Sequence, residues 1–285
     1  MMVIAFQGRP GAYSDLACRS ARPGWKTLPC RTFLETIEAV RQGEAEEALL
    51  PCENSLAGRV PEIHTLLPES GLKIVGEHFQ RVEHALLGVK GATLADIKSV
   101  HTHPVALGQI RQFVKQYHLH PVAEFDTAGA AELVASWNRK EDAAVASTLA
   151  AELYGLTVLR ENIEDAAHNT TRFYRVARMA ENQDTQICDN EENTPFMTTL
   201  LIQVQNKPGA LLKALECFYR EKINMTRLES YMVNGSFTAT QFLVDIEGAP
   251  FQENTKLALA ELKRLSDDLR ILGVYPRSPL REKLV

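Results

Sequence analysis

The chain has 285 residues, 45% of them hydrophobic and 24% charged, an ordinary composition for a folded globular protein of about two domains. No apolar run approaches the roughly 18 residues of a membrane span. The 31 Lys and Arg against 36 Asp and Glu leave a net charge of -5, which speaks against a nucleic-acid binder held by phosphate contacts. The apolar start, Met1 to Phe6, is only a strand's length and lacks the basic flank and cleavage pattern of a secretory signal, so a cytoplasmic location is expected. Cys18, Cys30, Cys52, Cys188 and Cys217 form no CxxC pair, and the histidines form no HExxH, so idle thiols and no metal site are expected.

The first 180 residues alternate short apolar strands with helical segments. Val3 to Phe6 reads as a strand, Gly8 to Gly11 as a turn, and Ser14 onward as a helix. Thr32 to Glu35 is a capping box that opens a helix with Phe33, Ile37 and Val40 on one face. Ala48 to Pro51 is a strand, and Pro61 suits the first turn of a helix through Leu67. Leu72 to Val75, Ala85 to Val89 and a segment ending at His101 are strands. Pro104 starts one long helix to about Tyr117. Val122 to Phe125 is a strand, followed by a helix from Thr127 to about Trp137. Ala143 to Ala146 is a strand, and Ser147 caps a helix that Gly155 closes. Thr157 to Leu159 and Arg172 to Val176 complete the set. The alternation predicts an α/β fold with a parallel or mostly parallel sheet.

Glu181 to Thr194 is polar and acidic, the one clear linker in the chain. Beyond it the rhythm changes. Strands are expected at Met197 to Val204, Met225 to Met232, Ser236 to Ile246 and Leu269 to Val274, with helices at Pro208 to Glu221 and Gln252 to Leu265. Val233-Asn234-Gly235 is a hairpin signal. The order βαββαβ is that of a ferredoxin-like unit.

In open α/β sheets, ligands bind beyond the carboxyl ends of the strands. The polar residues at those positions are Gln7 to Ser14, Glu53-Asn54-Ser55, His103, Asp126-Thr127, Ser147 and Asn169 to Arg172. Several precede helices, whose free N–H groups favour anions. Helix capping is the plain alternative for Ser147 and Thr127. Gly8 and Gly11 lack the GxGxxG spacing of a dinucleotide fingerprint. Asn169-Thr170-Thr171-Arg172-Phe173 combines an amide, hydroxyls and a cation. Arg172 can grip a carboxylate bidentately, and a hydroxyl beside a leaving group can donate a proton. A strand-edge ion pair is the alternative for Arg172.

The order and spacing of these segments resemble the prephenate dehydratase family with a C-terminal ACT regulatory domain. The segments are Gly8 to Ser14, Leu50-Pro51-Cys52-Glu53-Asn54-Ser55, His103-Pro104 through Gln109, Asp126-Thr127-Ala128, Ala144 to Ser147, Tyr154-Gly155-Leu156 and Asn169 to Phe173. Val105 stands where many members carry Gln. The resemblance implies two lobes like a type II periplasmic binding protein, about 1–78 with 172–180 and about 79–171, in a catalytic domain over 1–180. It implies an ACT domain over 195–277. The implied reaction turns prephenate into phenylpyruvate, water and carbon dioxide with no cofactor or metal. Thr171 would assist departure of the ring hydroxyl, with Asn54, Ser55 and Arg172 as catalytic partners. Ser14, Glu53, Thr127, Ala128, Asn169, Phe173 and Gln109 would bind substrate. Asn206-Lys207-Pro208-Gly209-Ala210-Leu211 is similar to the ACT effector loop. The resemblance then implies L-phenylalanine at Asn206, Pro208, Gly209, Ala210, Leu211, Glu229 and Ser230, and a homodimer or homotetramer. Tyr231-Met232 stands where the second effector motif usually has Arg-Pro. Arogenate dehydratase on the same scaffold, or a non-catalytic amino-acid sensor, are the competing readings.

Overall fold

Ile4, Ala5 and Phe6 are fully buried because β1 (Val3–Gln7) is central, with parallel neighbours on both sides, β2 (Lys26–Cys30) and β3 (Glu47–Asn54). The structure is a computed structural model and describes residues 1–179, 195–232 and 239–283. The linker and the Val233-Asn234-Gly235 hairpin lie outside the described residues.

In chain order, α1 (Tyr13–Ala21) and α2 (Phe33–Gln42) join the first three strands. There follow β4 (Gly58–Arg59), α3 (Pro61–Glu69), β5 (Lys73–Arg81), β6 (Ala85–Gly88), β7 (Ser99–Thr102), α4 (Pro104–Gln109), α5 (Arg111–Gln116), β8 (His120–Ala123), α6 (Thr127–Trp137), β9 (Asp142–Ala146), α7 (Thr148–Tyr154), β10 (Thr157–Arg160) and β11 (Thr170–Ala177). The remaining elements are β12 (Phe196–Gln203), α8 (Ala210–Arg220), β13 (Met225–Met232), β14 (Ala239–Glu247), α9 (Glu253–Leu265) and β15 (Asp268–Pro276). They fall into two units, 1–63 with 78–173 and 64–77 with 174–283.

The first unit is a bilobal α/β fold of the type II periplasmic-binding-protein kind. One lobe carries strands in the order β11-β3-β1-β2, and the other carries β10-β6-β9-β7-β8. The second lobe is mixed. β7 runs parallel to β8 and β9, but β6 is antiparallel to β9 and β10. Only Val82 to His84 separate β6 from β5, so the chain enters this sheet without a crossover helix. Ala-rich β9 and α6 pack with Leu86, Leu87, Val100 and Val134 as this lobe's core.

The helix expected from Pro104 to Tyr117 is two helices. Ile110 leaves the helical region, with φ -127°. The Gln109 carbonyl accepts from Asp165 N at 2.7 Å instead of continuing the ladder, and Asp165 Oδ1 takes Gln112 N at 3.1 Å. β2 and the short β4 were not expected. β2 contains Pro29 and is a half-exposed edge, which lacks the apolar alternation that marks a strand.

In the second unit β12, α8, β13, β14, α9 and β15 have the βαββαβ order, and the sheet order is β13-β14-β12-β15. The pairs in it are antiparallel, as in ferredoxin-like units. Leu200, Phe218, Val244, Ala258 and Leu262 form its core.

Gly11 ties the first motif to the other lobe. It sits at φ +86°, and a Cβ there would meet the Ala150 Cα at 2.9 Å. The Ser147 hydroxyl donates to the Gly11 carbonyl at 2.6 Å while accepting from Ala150 N as the cap of α7. Gly11→Ala should therefore lower stability by about 1–3 kcal/mol, read as a reduced denaturation midpoint. An unchanged midpoint would show that the loop moves freely away from α7.

Candidate active site

The end of β3 and the start of β11 are laced together by side chains. The Asn54 amide is fixed in orientation: its Oδ1 accepts from Leu56 N at 2.9 Å and Ala57 N at 2.8 Å. Its Nδ2 must then point the other way. There it donates to Asn169 Oδ1 at 2.9 Å, to the Thr171 hydroxyl oxygen at 3.0 Å and, more weakly, to the Thr170 carbonyl at 3.3 Å. Thr171 is half-buried. With its oxygen accepting from Asn54, its proton is left to donate elsewhere. Ser55 holds the same junction. Its hydroxyl donates to the His168 carbonyl at 2.9 Å and accepts from Thr170 N at 3.0 Å. Asn169 is fully buried, and its Nδ2 has no hydrogen-bond partner among the described residues.

Arg172 is 3% exposed and pairs with Glu53 at 2.9 Å. The buried Cys52 thiol donates to the Arg172 carbonyl at 3.3 Å. Phe173 lies in the first lobe's core with Ile4, Phe6 and Leu49. Glu53, Asn54 and Ser55 thus each bond directly across to the segment from His168 to Arg172, although more than a hundred residues separate the two segments.

The other expected residues sit at helix ends. Thr127 opens α6, but the cap is Asp126, whose carboxylate accepts from Gly129 N at 2.5 Å. The Thr127 hydroxyl is thereby not needed as a cap. Ala128 is fully buried, and Ser14 is half-buried in the first turn of α1. His103 caps α4 through Nδ1. Gln109 ends α4, and its Oε1 lies 2.8 Å from His84 Nε2. His84 Nδ1 in turn lies 2.8 Å from the Tyr13 hydroxyl. Burial holds the His84 imidazole below its usual range and the Tyr13 hydroxyl well above its own. His84 was not anticipated. A single histidine at the start of the apolar run Ala85 to Val89 reads as core.

In the second unit, Asn206 to Gly209 form an exposed loop before α8. Gly209 is the N-cap of α8 at φ +80°, with open space where a Cβ would stand. Glu229 and Ser230 are neighbours on β13 and face opposite sides of the sheet. The Glu229 carboxylate is bound by Arg227 at 2.9 and 3.1 Å and by the Tyr231 hydroxyl at 2.8 Å. Burial alone would raise it, but Arg227, Tyr231 and His64 hold it below the usual carboxylate range. The Tyr231 ring stacks on buried His64 at 5.4 Å.

A bilobal α/β unit followed by a βαββαβ unit, with polar motifs at strand and helix ends, defines the class: a periplasmic-binding-protein-like α/β unit with a ferredoxin-like unit after it. Residues 4–181 match the family model described as Prephenate dehydratase. The chain is 62% identical over 281 residues to a "Bifunctional N-acyl-homoserine lactone acylase/prephenate dehydratase" of Komagataeibacter europaeus, covering 99% of this chain and 98% of that protein. It is 35% identical to "Arogenate dehydratase/prephenate dehydratase 1, chloroplastic" of Arabidopsis thaliana, covering 98% of this chain and 73% of that protein. Its fold matches the solved prephenate dehydratase of Arthrobacter aurescens in complex with L-Phe, with a TM-score of 0.85 and 29% identity, covering 97% of this chain and 90% of that one. The chain belongs to the prephenate dehydratase family.

The Glu53–Arg172 pair carries a stability prediction. Glu53→Gln keeps the shape and leaves a buried guanidinium short of its partner charge. Glu53 is partly solvated, so the expected loss is about 1–2 kcal/mol. A chemical denaturation series on the two proteins measures it, and equal midpoints would show that the pair contributes nothing net.

Proposed function

We propose that this chain is a prephenate dehydratase regulated by L-phenylalanine, with the catalytic domain over residues 1–180 and an ACT domain over 195–277. In the reaction the ring carboxylate leaves as carbon dioxide. Its bonding electrons enter the ring, and the ring C–O bond breaks as the hydroxyl takes a proton and departs as water. The products balance: phenylpyruvate, carbon dioxide and water. The protein has only to hold a dianion and supply a proton at the leaving oxygen.

The observation that carries the reading is the Asn54–Thr171 bond. Asn54 donates to one lone pair of the Thr171 hydroxyl oxygen and leaves its O–H to donate elsewhere, as a leaving oxygen would require. Ser55 and Asn169 hold Asn54 and β11 in that arrangement. Arg172, tied to Glu53, links the end of β3 to the start of β11. Ser14, Thr127, Ala128 and Gln109, on the first turns of α1 and α6 and the end of α4, are the proposed substrate contacts. N–H groups at the two helix starts add attraction for anions. The reaction has no net oxidation or reduction and calls for no redox cofactor, and a cytoplasmic setting is proposed with it.

General-acid help is typically worth about 10²–10⁴-fold. Thr171→Val keeps the shape and removes the donor, so turnover should fall at least about tenfold with little change in stability. Purified protein is to be assayed with prephenate and arogenate side by side. The printed name of the Arabidopsis relative covers both substrates, so the ratio of the two rates names the preference. Binding of aromatic acids with turnover of neither substrate would make the chain a sensor. Wild-type rates in Thr171→Val would remove Thr171 from the chemistry.

A second reading has its own support. The Komagataeibacter relative, 62% identical, is called an N-acyl-homoserine lactone acylase as well. Acylase activity would release free homoserine lactone and a fatty acid from an N-acyl-homoserine lactone. Mass spectrometry of both products tests it, and intact substrate with active dehydratase would dismiss it.

Regulation is proposed at the Asn206 to Leu211 loop. β13 ends its sheet order and exposes Leu228 and Met232, which supports pairing with a second copy as a homodimer or homotetramer. Phenylalanine would sit against Asn206, Pro208, Gly209, Ala210 and Leu211. Ser230 is the facing-strand candidate on one side of β13, and Glu229 is held on the other by Arg227. The effector should weaken prephenate binding by a few-fold to about a hundredfold, and prephenate should weaken effector binding equally. Gly209→Val strains a left-handed backbone position and should abolish inhibition while leaving basal turnover intact. Calorimetry showing no phenylalanine binding at millimolar concentration, on active enzyme, would defeat this part.

A further inference from the structure

His84 lies in the three-residue passage between β5 and β6 and is 1% exposed. Its two ring nitrogens are met by side chains from distant segments. The Tyr13 hydroxyl is 2.8 Å from Nδ1, and Gln109 Oε1 is 2.8 Å from Nε2. Tyr13 neighbours Ser14, and Gln109 closes α4. The backbone of the same passage reaches a third site segment: Val82 N donates to the Asn169 carbonyl at 2.8 Å. His84 N itself donates to Glu164 Oε2 at 2.9 Å. A buried histidine needs partners, but one whose two ring nitrogens both meet side chains of the site's segments does more than satisfy its own polarity.

A neutral imidazole carries one proton, on one nitrogen. Gln109 Oε1 can only accept, so this arrangement requires the proton on Nε2. Nδ1 is then bare and accepts from the Tyr13 O–H, whose proton is shared with the Glu83 carbonyl at 2.9 Å. With the proton on Nδ1 instead, Gln109 would have to turn its NH₂ toward His84 and its oxygen away. The tautomer therefore decides whether Gln109 offers hydrogen-bond donors or a lone pair to what lies beyond it. A dianionic substrate requires donors.

We propose that His84 is a positioning residue: with its proton on Nε2 it holds the Gln109 carbonyl and leaves the Gln109 N–H groups to bind a substrate carboxylate. The inference rests on the dehydratase reading and deepens it. His84 touches no substrate and acts through Gln109.

The test has two arms. A glutamine side chain reaches the place of Nε2 and can donate there, whereas asparagine reaches only the place of Nδ1. His84→Asn should raise the Michaelis constant for prephenate about tenfold or more with turnover number within about threefold, the pattern of lost binding that is equal in ground and transition states. His84→Gln should recover most of the affinity. A purely structural histidine would instead cost thermal stability in both variants and leave the Michaelis constant alone. The second arm is nitrogen NMR of imidazole-labelled protein at about pH 7, which should show a neutral His84 ring protonated on Nε2. A ring protonated on Nδ1, or on both nitrogens, overturns the proposal, as does a wild-type Michaelis constant in His84→Asn. The NMR arm needs no turnover. Inactive wild-type protein would therefore count against the dehydratase reading, and the tautomer would still decide for or against His84.

Discussion

The amide of Asn54 is the constraint on which the rest of the site depends. An amide has one accepting end and one donating end, and it cannot exchange them without cost. Here the turn after β3 takes the accepting end through Leu56 and Ala57. The donating end is thereby committed to β11, where it meets Asn169 and Thr171. Turning the amide over would set donor against donor at the turn and acceptor against acceptor at Asn169, at about 1–3 kcal/mol for each buried group left unsatisfied. The direction of one side chain thus follows from backbone geometry, and that side chain makes the Thr171 oxygen an acceptor and leaves its O–H to donate elsewhere.

Around this amide the first unit supplies rigidity. The Ser147 hydroxyl and Gly11 bind the first motif to α7, so Ser14 and Tyr13 start α1 from a fixed point. The break at Ile110 ends α4 at Gln109, and Asp165 holds both sides of the break. An unbroken helix would have carried the Gln109 carbonyl into the ladder. These contacts place amides and hydroxyls, groups that direct protons without titrating near neutral pH.

Much of this was legible in the residues. Thr32 and Ser147 cap as their types predict, and Gly155 closes α7 at φ 70°. The βαββαβ order followed from spacing alone. Asn54, Ser55, Asn169 and Thr171 were picked as polar residues at strand ends, and the fold brings them together. What stayed hidden has physical reasons. Thr170 to Arg172 were expected to precede or open a strand, and only pairing with β3 shows them as its first residues. The pairing of Arg172 with Glu53 depends on strand register, which a sequence does not display. β2 carries Pro29 at an edge, where the ladder tolerates it but the pattern does not reveal it. His84 looked like core because its partners are remote in sequence. That Glu229 and Ser230 face opposite ways was implicit in the period of two along a strand, and a motif reading passes over it.

The central claim is that Asn54 acts on the chemistry through the Thr171 hydroxyl. A double-mutant cycle measures that directly: turnover numbers for wild type, Asn54→Ala, Thr171→Val and the double variant, with folding checked for each. If Asn54 works by orienting that hydroxyl, its loss should cost little once the hydroxyl is gone, so the double variant should be scarcely slower than Thr171→Val. Losses that simply multiply would contradict the account and make Asn54 and Thr171 independent contributors.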